Sequence, residues 1–139
     1  MNPADCPFKA ADRVLAEIPK DVPVFVDFHA EATSEKITMG HYLDGRVTAL
    51  VGTHTHVQTS DACLLPKGTA YLTDLGMTGP YLSSIGRDLK PVTRRFLTGM
   101  PSRFDVAEGP CVLEGAVIDF DPATKKAAFI TTLRLREPL

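Results

Sequence analysis

Two of the four histidines in the chain stand in Gly52-Thr53-His54-Thr55-His56, directly after the apolar run Val47–Val51. On extended backbone the side-chain period is two, which predicts that His54 and His56 point to the same side. Two imidazoles leaving a strand together are a ready pair of metal ligands. The alternative is a pair of loop histidines bonded to backbone groups. The same arrangement occurs one strand earlier, where Val24–Phe28 runs into His29. Two adjacent strands would then deliver His29, His54 and His56 to one edge of a sheet, and the carboxyl edge of parallel strands is where α/β sheets place their sites. Asp27 should share a side with His29, either as a ligand or as a carboxylate that orients an imidazole. Glu31 could assist the same site, although at a helix start it also suits the dipole. His41 has no candidate ligand at useful spacing and reads as a surface or packing residue.

Other signals are weaker. The loop Thr73–Tyr81 holds two glycines and a proline and could bring backbone amides to a phosphate. Arg87, Arg94, Arg95 and Arg103 could clamp a phosphate bidentately, but scattered surface arginines explain most such sets. Cys6, Cys63 and Cys111 form no CxxC pair and read as packing residues, which points to a reducing compartment rather than a disulfide framework or zinc knuckle.

The elements that must position these residues follow from periodicity. Pro7–Ile18 carries Phe8, Ala11, Leu15 and Ile18 at helical spacing, with Asp5 as N-cap and Pro7 at a tolerated early position. Val24–Phe28 reads as a buried strand, Ala30–Leu43 as a helix closed by Asp44-Gly45, and Val47–Val51 as a second strand. Together they make a βαβ unit, hence parallel strands in an α/β or layered α+β fold. Gly68–Thr73 is a third strand, Asp74–Gly86 a loop, and Leu89–Thr98 a helix with an uncertain start at Pro91. Val112–Phe120 and Ala127–Arg136 alternate apolar and polar residues around a turn, the pattern of a long antiparallel hairpin.

At 139 residues, 44% hydrophobic, 23% charged and net charge −2, the composition fits one domain with a real core. It excludes a disordered chain, and no apolar run approaches the ~20 residues of a membrane span. The near-neutral charge argues against a dedicated nucleic-acid surface. The start shows no signal-peptide pattern, so a cytoplasmic location is expected. The chain opens on Asn2-Pro3, a turn signal, and enters a helix with no strand before it.

The runs Val26-Asp27-Phe28-His29-Ala30-Glu31-Ala32-Thr33-Ser34-Glu35-Lys36, Tyr42-Leu43-Asp44-Gly45-Arg46-Val47, Val51-Gly52-Thr53-His54-Thr55-His56-Val57-Gln58-Thr59 and Thr73-Asp74-Leu75-Gly76-Met77-Thr78-Gly79-Pro80 resemble the YmdB-like family of bacterial metallophosphoesterases. The likeness also takes in Arg95-Phe96 and Pro101-Ser102-Arg103-Phe104. The resemblance implies a layered α/β sandwich of calcineurin-like metallophosphoesterase type, present here in part, with the βαβ unit followed by the C-terminal antiparallel hairpin. It implies two divalent metal ions, iron or manganese, and activity on 2′,3′-cyclic nucleotides or simple phosphodiesters. By resemblance His29 and His54 are ligands of one metal and His56 of the other. Imidazoles must be neutral to bind, so activity should fade at acid pH.

The family's remaining ligands are an aspartate in a GD motif, a bridging glutamate beside an asparagine, and a later asparagine followed by the histidine taken as general acid. None of these motifs stands in this sequence. The resemblance therefore implies that residues 1–139 are the C-terminal half of a single metallophosphoesterase domain. Without the bridging carboxylate, two dications about 3.5–4 Å apart would repel with little compensation, so the expectation for this chain alone is weak or no activity. The alternative is a non-catalytic fragment or metal-binding interaction module that needs a separate N-terminal half. A structural zinc domain is disfavoured because no cysteines accompany the histidines. Missing strands would leave an open edge or an uncovered apolar face, which predicts self-association or poor solubility.

Overall fold

A computed structural model describes residues 5–139, and the Asn2-Pro3 turn signal lies outside them. Helix α1 spans Pro7–Glu17 and packs Phe8, Ala11 and Leu15 against the core, as its spacing predicts. Its cap differs from the expectation. Cys6 occupies the N-cap position without a side-chain bond, and Asp5 pairs with Arg13 at 3.2 Å instead. Pro7 as the first helical residue puts Asp5 one position too early to cap.

Strand β1 (Phe25–His29), helix α2 (Thr33–Leu43) and strand β2 (Ala49–Thr53) form the anticipated βαβ unit. Each strand is shifted toward its carboxyl end relative to the apolar run that announces it. The strands pair in parallel from Phe25↔Ala49 to His29↔Thr53. Strand β4 (Ala70–Leu72) continues the parallel sheet. The two-residue β3 (Cys63–Leu64) closes its far side antiparallel, giving the order β1-β2-β4-β3.

The parallel sheet is covered on both faces, and alternation decides which residue goes where. Leu50 and Tyr71 pack with Met39, Leu43 and Val26 under the helices. Ala49, Ala70 and Leu72 face the other way, against Ala127 and Ile130. Truncating fully buried Leu50 to alanine should cost about 2–5 kcal/mol.

The second sheet has the order β5-β6-β7, from β5 (Thr78–Pro80) and the long hairpin β6 (Cys111–Phe120) and β7 (Ala127–Arg136). Helix α3 (Leu89–Thr98) lies between β5 and β6. Asp88 caps it by accepting from the Lys90 N–H, and it stops at left-handed Gly99. The sequence reading missed β3 and β5 because two or three residues are too few to show a period. Gln58 ties the layers together: its side-chain amide reaches the carbonyls of Leu75, Gly115 and Leu133 at 3.2, 2.9 and 3.1 Å. Among the described residues no helix is long and apolar enough to cross a membrane.

Candidate functional site

All three parallel strands deliver polar side chains at their carboxyl ends. Strand β1 supplies Asp27 and His29, β2 supplies Thr53 followed by His54 and His56, and β4 leads into Asp74. Register places Thr53 beside His29. The Thr53 hydroxyl donates to Asp27 Oδ1 at 2.8 Å, so toward His29 Nδ1, 3.0 Å away, it acts as acceptor. His29 Nδ1 therefore carries the hydrogen, and its Nε2 presents a lone pair in the neutral ring.

That nitrogen lies 3.1 Å from His54 Nδ1. His54 in turn donates from Nε2 to Glu31 Oε2 at 2.5 Å, which leaves a lone pair on its Nδ1 as well. With both rings neutral, two imidazole lone pairs face one another, a contact that either a proton or a metal ion shared between the nitrogens satisfies. Two nitrogens each bound at roughly 2.1 Å to one ion at the right angle of an octahedral site sit about 3 Å apart, so the spacing suits an octahedral common metal. The donor set is incomplete, because among the described residues no group of three or more His, Cys, Asp or Glu is placed to hold a metal ion.

His56 does not converge on this pair. Its Nδ1 bonds the Ile85 carbonyl at 3.0 Å, leaving Nε2 free of that contact. The extended-strand expectation for His54 and His56 fails because β2 ends at Thr53 and both histidines take left-handed backbone, with φ 125° and 61°. Ile85, which holds His56, is itself at φ 48°. Left-handed backbone is costly for residues with a Cβ, and such strain concentrates at functional sites.

A buried pair beneath the loop holds this shape. Lys36 Nζ bonds Asp74 Oδ2 at 2.9 Å with both side chains fully buried, and also donates to the Thr53 carbonyl at 2.9 Å. The same Asp74 oxygen accepts the Thr55 N–H, between the two histidines, at 2.9 Å, and its other oxygen accepts the Gly76 N–H. Burial pushes the Asp74 carboxyl up, but the N–H groups of Thr55 and Gly76 and the Lys36 ammonium outweigh it and hold it below the usual carboxylate range. Gly52 makes room, since a Cβ there would collide with the Thr73 carbonyl oxygen and stand 2.8 Å from Lys36 Cδ.

The structure departs from some expectations and agrees with others. Glu31 does not serve a helix start: α2 begins at Thr33 with Glu35 as its first-turn acid, and Glu31 bonds His54 instead. Glu31 is 86% exposed, so this contact orients more than it stabilises. Asp27 acts on His29 through Thr53. The amides of the Thr73–Tyr81 loop are spent internally, Gly76 on Asp74 and Met77 on Glu114. Cys6 and Cys63 are exposed rather than packed. His41 is exposed on α2, consistent with a surface role. Thr53, Lys36 and Asp74 escaped the sequence reading, although Asp74 follows a strand in the same way as the histidines do.

Of the four arginines, only Arg87 lines the cleft that contains His56. Arg103 pairs with Asp105 at 3.2 Å and Arg95 lies over the Phe104 ring.

The sequence profile of the YmdB-like proteins matches residues 1–133. The chain belongs to the YmdB-like family. A YmdB-like relative, the 2′,3′-cyclic-nucleotide 2′-phosphodiesterase of Bacillus subtilis (strain 168), is 55% identical over 138 residues, covering 99% of this chain and 52% of its own length. A hypothetical protein of Thermus thermophilus superposes with TM-score 0.93 at 48% identity, over 99% of this chain and 54% of that one. A phosphatase of Mycoplasma pneumoniae superposes with TM-score 0.87 at 39% identity, over 94% and 46%. The chain thus spans about half the length of these proteins that it matches.

Proposed function

We propose that the chain carries the three-histidine half of a dinuclear phosphodiesterase site acting on 2′,3′-cyclic nucleotides or related phosphodiesters, within a calcineurin-like layered fold. The observation that supports it most is the 3.1 Å approach of His29 Nε2 and His54 Nδ1. His29 and His54 would hold one ion and His56 the other, with iron suited to the imidazoles and manganese to the oxygen donors that must complete the site. When bound, such ions neutralise phosphoryl charge and activate water. Each histidine has one ring nitrogen engaged by an acceptor, on Thr53, Glu31 or Ile85, which fixes the tautomer and aims the other nitrogen, as ligand histidines require. The work of this chain is therefore to bind and orient.

A bridging carboxylate and a general acid must come from elsewhere. The B. subtilis relative's name supports the phosphodiesterase reading, and its unmatched length leaves room for residues 1–139 to be the C-terminal half of one domain; a cytoplasmic location is part of the same proposal. Alone, or self-associated, the chain should be weak or inactive, and its productive partner is the complementary N-terminal half. The test is hydrolysis of a chromogenic phosphodiester with added manganese. The expected result is no turnover above the metal blank. Robust turnover by the chain alone, abolished by His54→Ala, would defeat the half-site reading.

A second reading, a non-catalytic fragment or interaction module, is favoured by the incomplete donor set among the described residues. Adding a separately expressed N-terminal half of a relative separates the two, because only the enzyme reading predicts that turnover appears.

A further inference from the structure

The cleft beside His56 has a volume of about 260 Å³ and is lined by Met77, Gly79, Pro80, Ile85, Arg87 and Val106 along with His56. We propose that it takes the nucleoside portion of a cyclic-nucleotide phosphodiester, with the phosphate on the histidine side. This rests on the reading of the histidines given above.

Three observations carry the assignment. The first is continuity: His56 belongs both to the candidate metal site and to the cleft, and the Ile85 carbonyl that fixes its ring is part of the cleft lip. The second is lining chemistry. Ile85 and Val106 are 50% and 67% exposed, an apolar surface that a base or ribose face can cover and water cannot satisfy. Arg87 spends one N–H on the Phe104 carbonyl at 3.3 Å, and the guanidinium keeps further donors and a flat face. A planar, partly apolar base that stacks on the guanidinium face, with the phosphate charge toward the histidines, complements that set. The third is size. Whole drug-sized ligands occupy roughly 300–1,000 Å³, so this cleft suits one substituent of the phosphodiester. Ile85 holds left-handed backbone at φ 48°, unusual for a β-branched residue, and that conformation serves the His56 bond and the cleft wall together.

Gly79 supplies a clean test, because a Cβ there would meet no atom within 4 Å and a β-branched residue suits its strand position in β5. Binding of 2′,3′-cyclic AMP and of dimethyl phosphate, which lacks a nucleoside, is followed by NMR in the presence of zinc. The cyclic nucleotide should shift the methyl signals of Met77, Ile85 and Val106, and dimethyl phosphate should not. Gly79→Val should lower the ratio of the two affinities at least 10-fold, and Val106→Trp, filling the cleft from beside Arg87, should do the same. Arg87→Met should weaken the cyclic nucleotide several-fold. An unchanged ratio in either cleft-filling variant, with a wild-type melting curve, overturns the cleft assignment alone. Dimethyl phosphate binding indifferent to His54→Ala overturns the reading of the histidines, and failure of the unmutated chain to bind either probe overturns both.

Discussion

At Thr53 a single hydroxyl connects Asp27 to His29 and so decides which nitrogen of His29 faces His54. Thr53→Val keeps the shape and removes the link. Metal affinity, measured by calorimetric titration with manganese, should fall about 10–100-fold, with a loss of stability near 1 kcal/mol. Unchanged affinity would mean that the tautomer is fixed by something else. This residue shows where a sequence stops being informative. His29 and His54 were legible because each follows an apolar run. Thr53 was not, because its role depends on the register that sets it against His29. The left-handed backbone of His54 and His56 was equally hidden, since neither position carries the glycine or asparagine that usually announces it.

The loop after β2 and the strand β4 are joined by Lys36 and Asp74, an ion pair with no exposed side-chain surface. Removing one partner of such a pair leaves the other buried and unpaired, so Asp74→Ala should cost about 3–5 kcal/mol in urea unfolding. A loss under about 1 kcal/mol would show that water reaches the ammonium. The folded-state carboxyl of Asp74 is depressed, so its stabilisation is fully present above the unfolded value of about 3.9. It is lost as pH falls through the lower folded value. The urea midpoint should accordingly drop below pH 4, and Asp74→Asn should flatten that part of the profile. An identical acid limb in the two proteins would assign the loss to other carboxylates. Gly52→Ala should destabilise by about 1–3 kcal/mol through overpacking, because the added methyl meets the Thr73 carbonyl oxygen. A neutral substitution would show that β2 and the segment after β4 can separate without cost.

Over the whole molecule, two sheets and their helices bring strand ends from residues 27 to 74 to one edge, while part of the apolar surface stays uncovered. Among the described residues strand β1 has a single neighbour and its Phe25 is 52% exposed; on α3, Phe96 and Leu97 are 85% and 81% exposed. In size-exclusion chromatography the chain should run as a self-associated species, or as a complex with the complementary half. A monodisperse monomer with a cooperative melt would contradict this. Long periodic elements were legible: α3 and β7 match their expected limits, and the βαβ unit is parallel as its pattern requires. Short strands β3 and β5 are too brief to show a period, and the Gln58 tie between layers depends on contacts distant in sequence. Everything proposed for the site depends on His29 and His54 binding one metal ion together, and anomalous diffraction from crystals grown with manganese reads that out. An anomalous peak is expected within bonding distance of both His29 Nε2 and His54 Nδ1, lost in His54→Ala. A manganese-loaded crystal with no peak between those two nitrogens would rule out shared ligation.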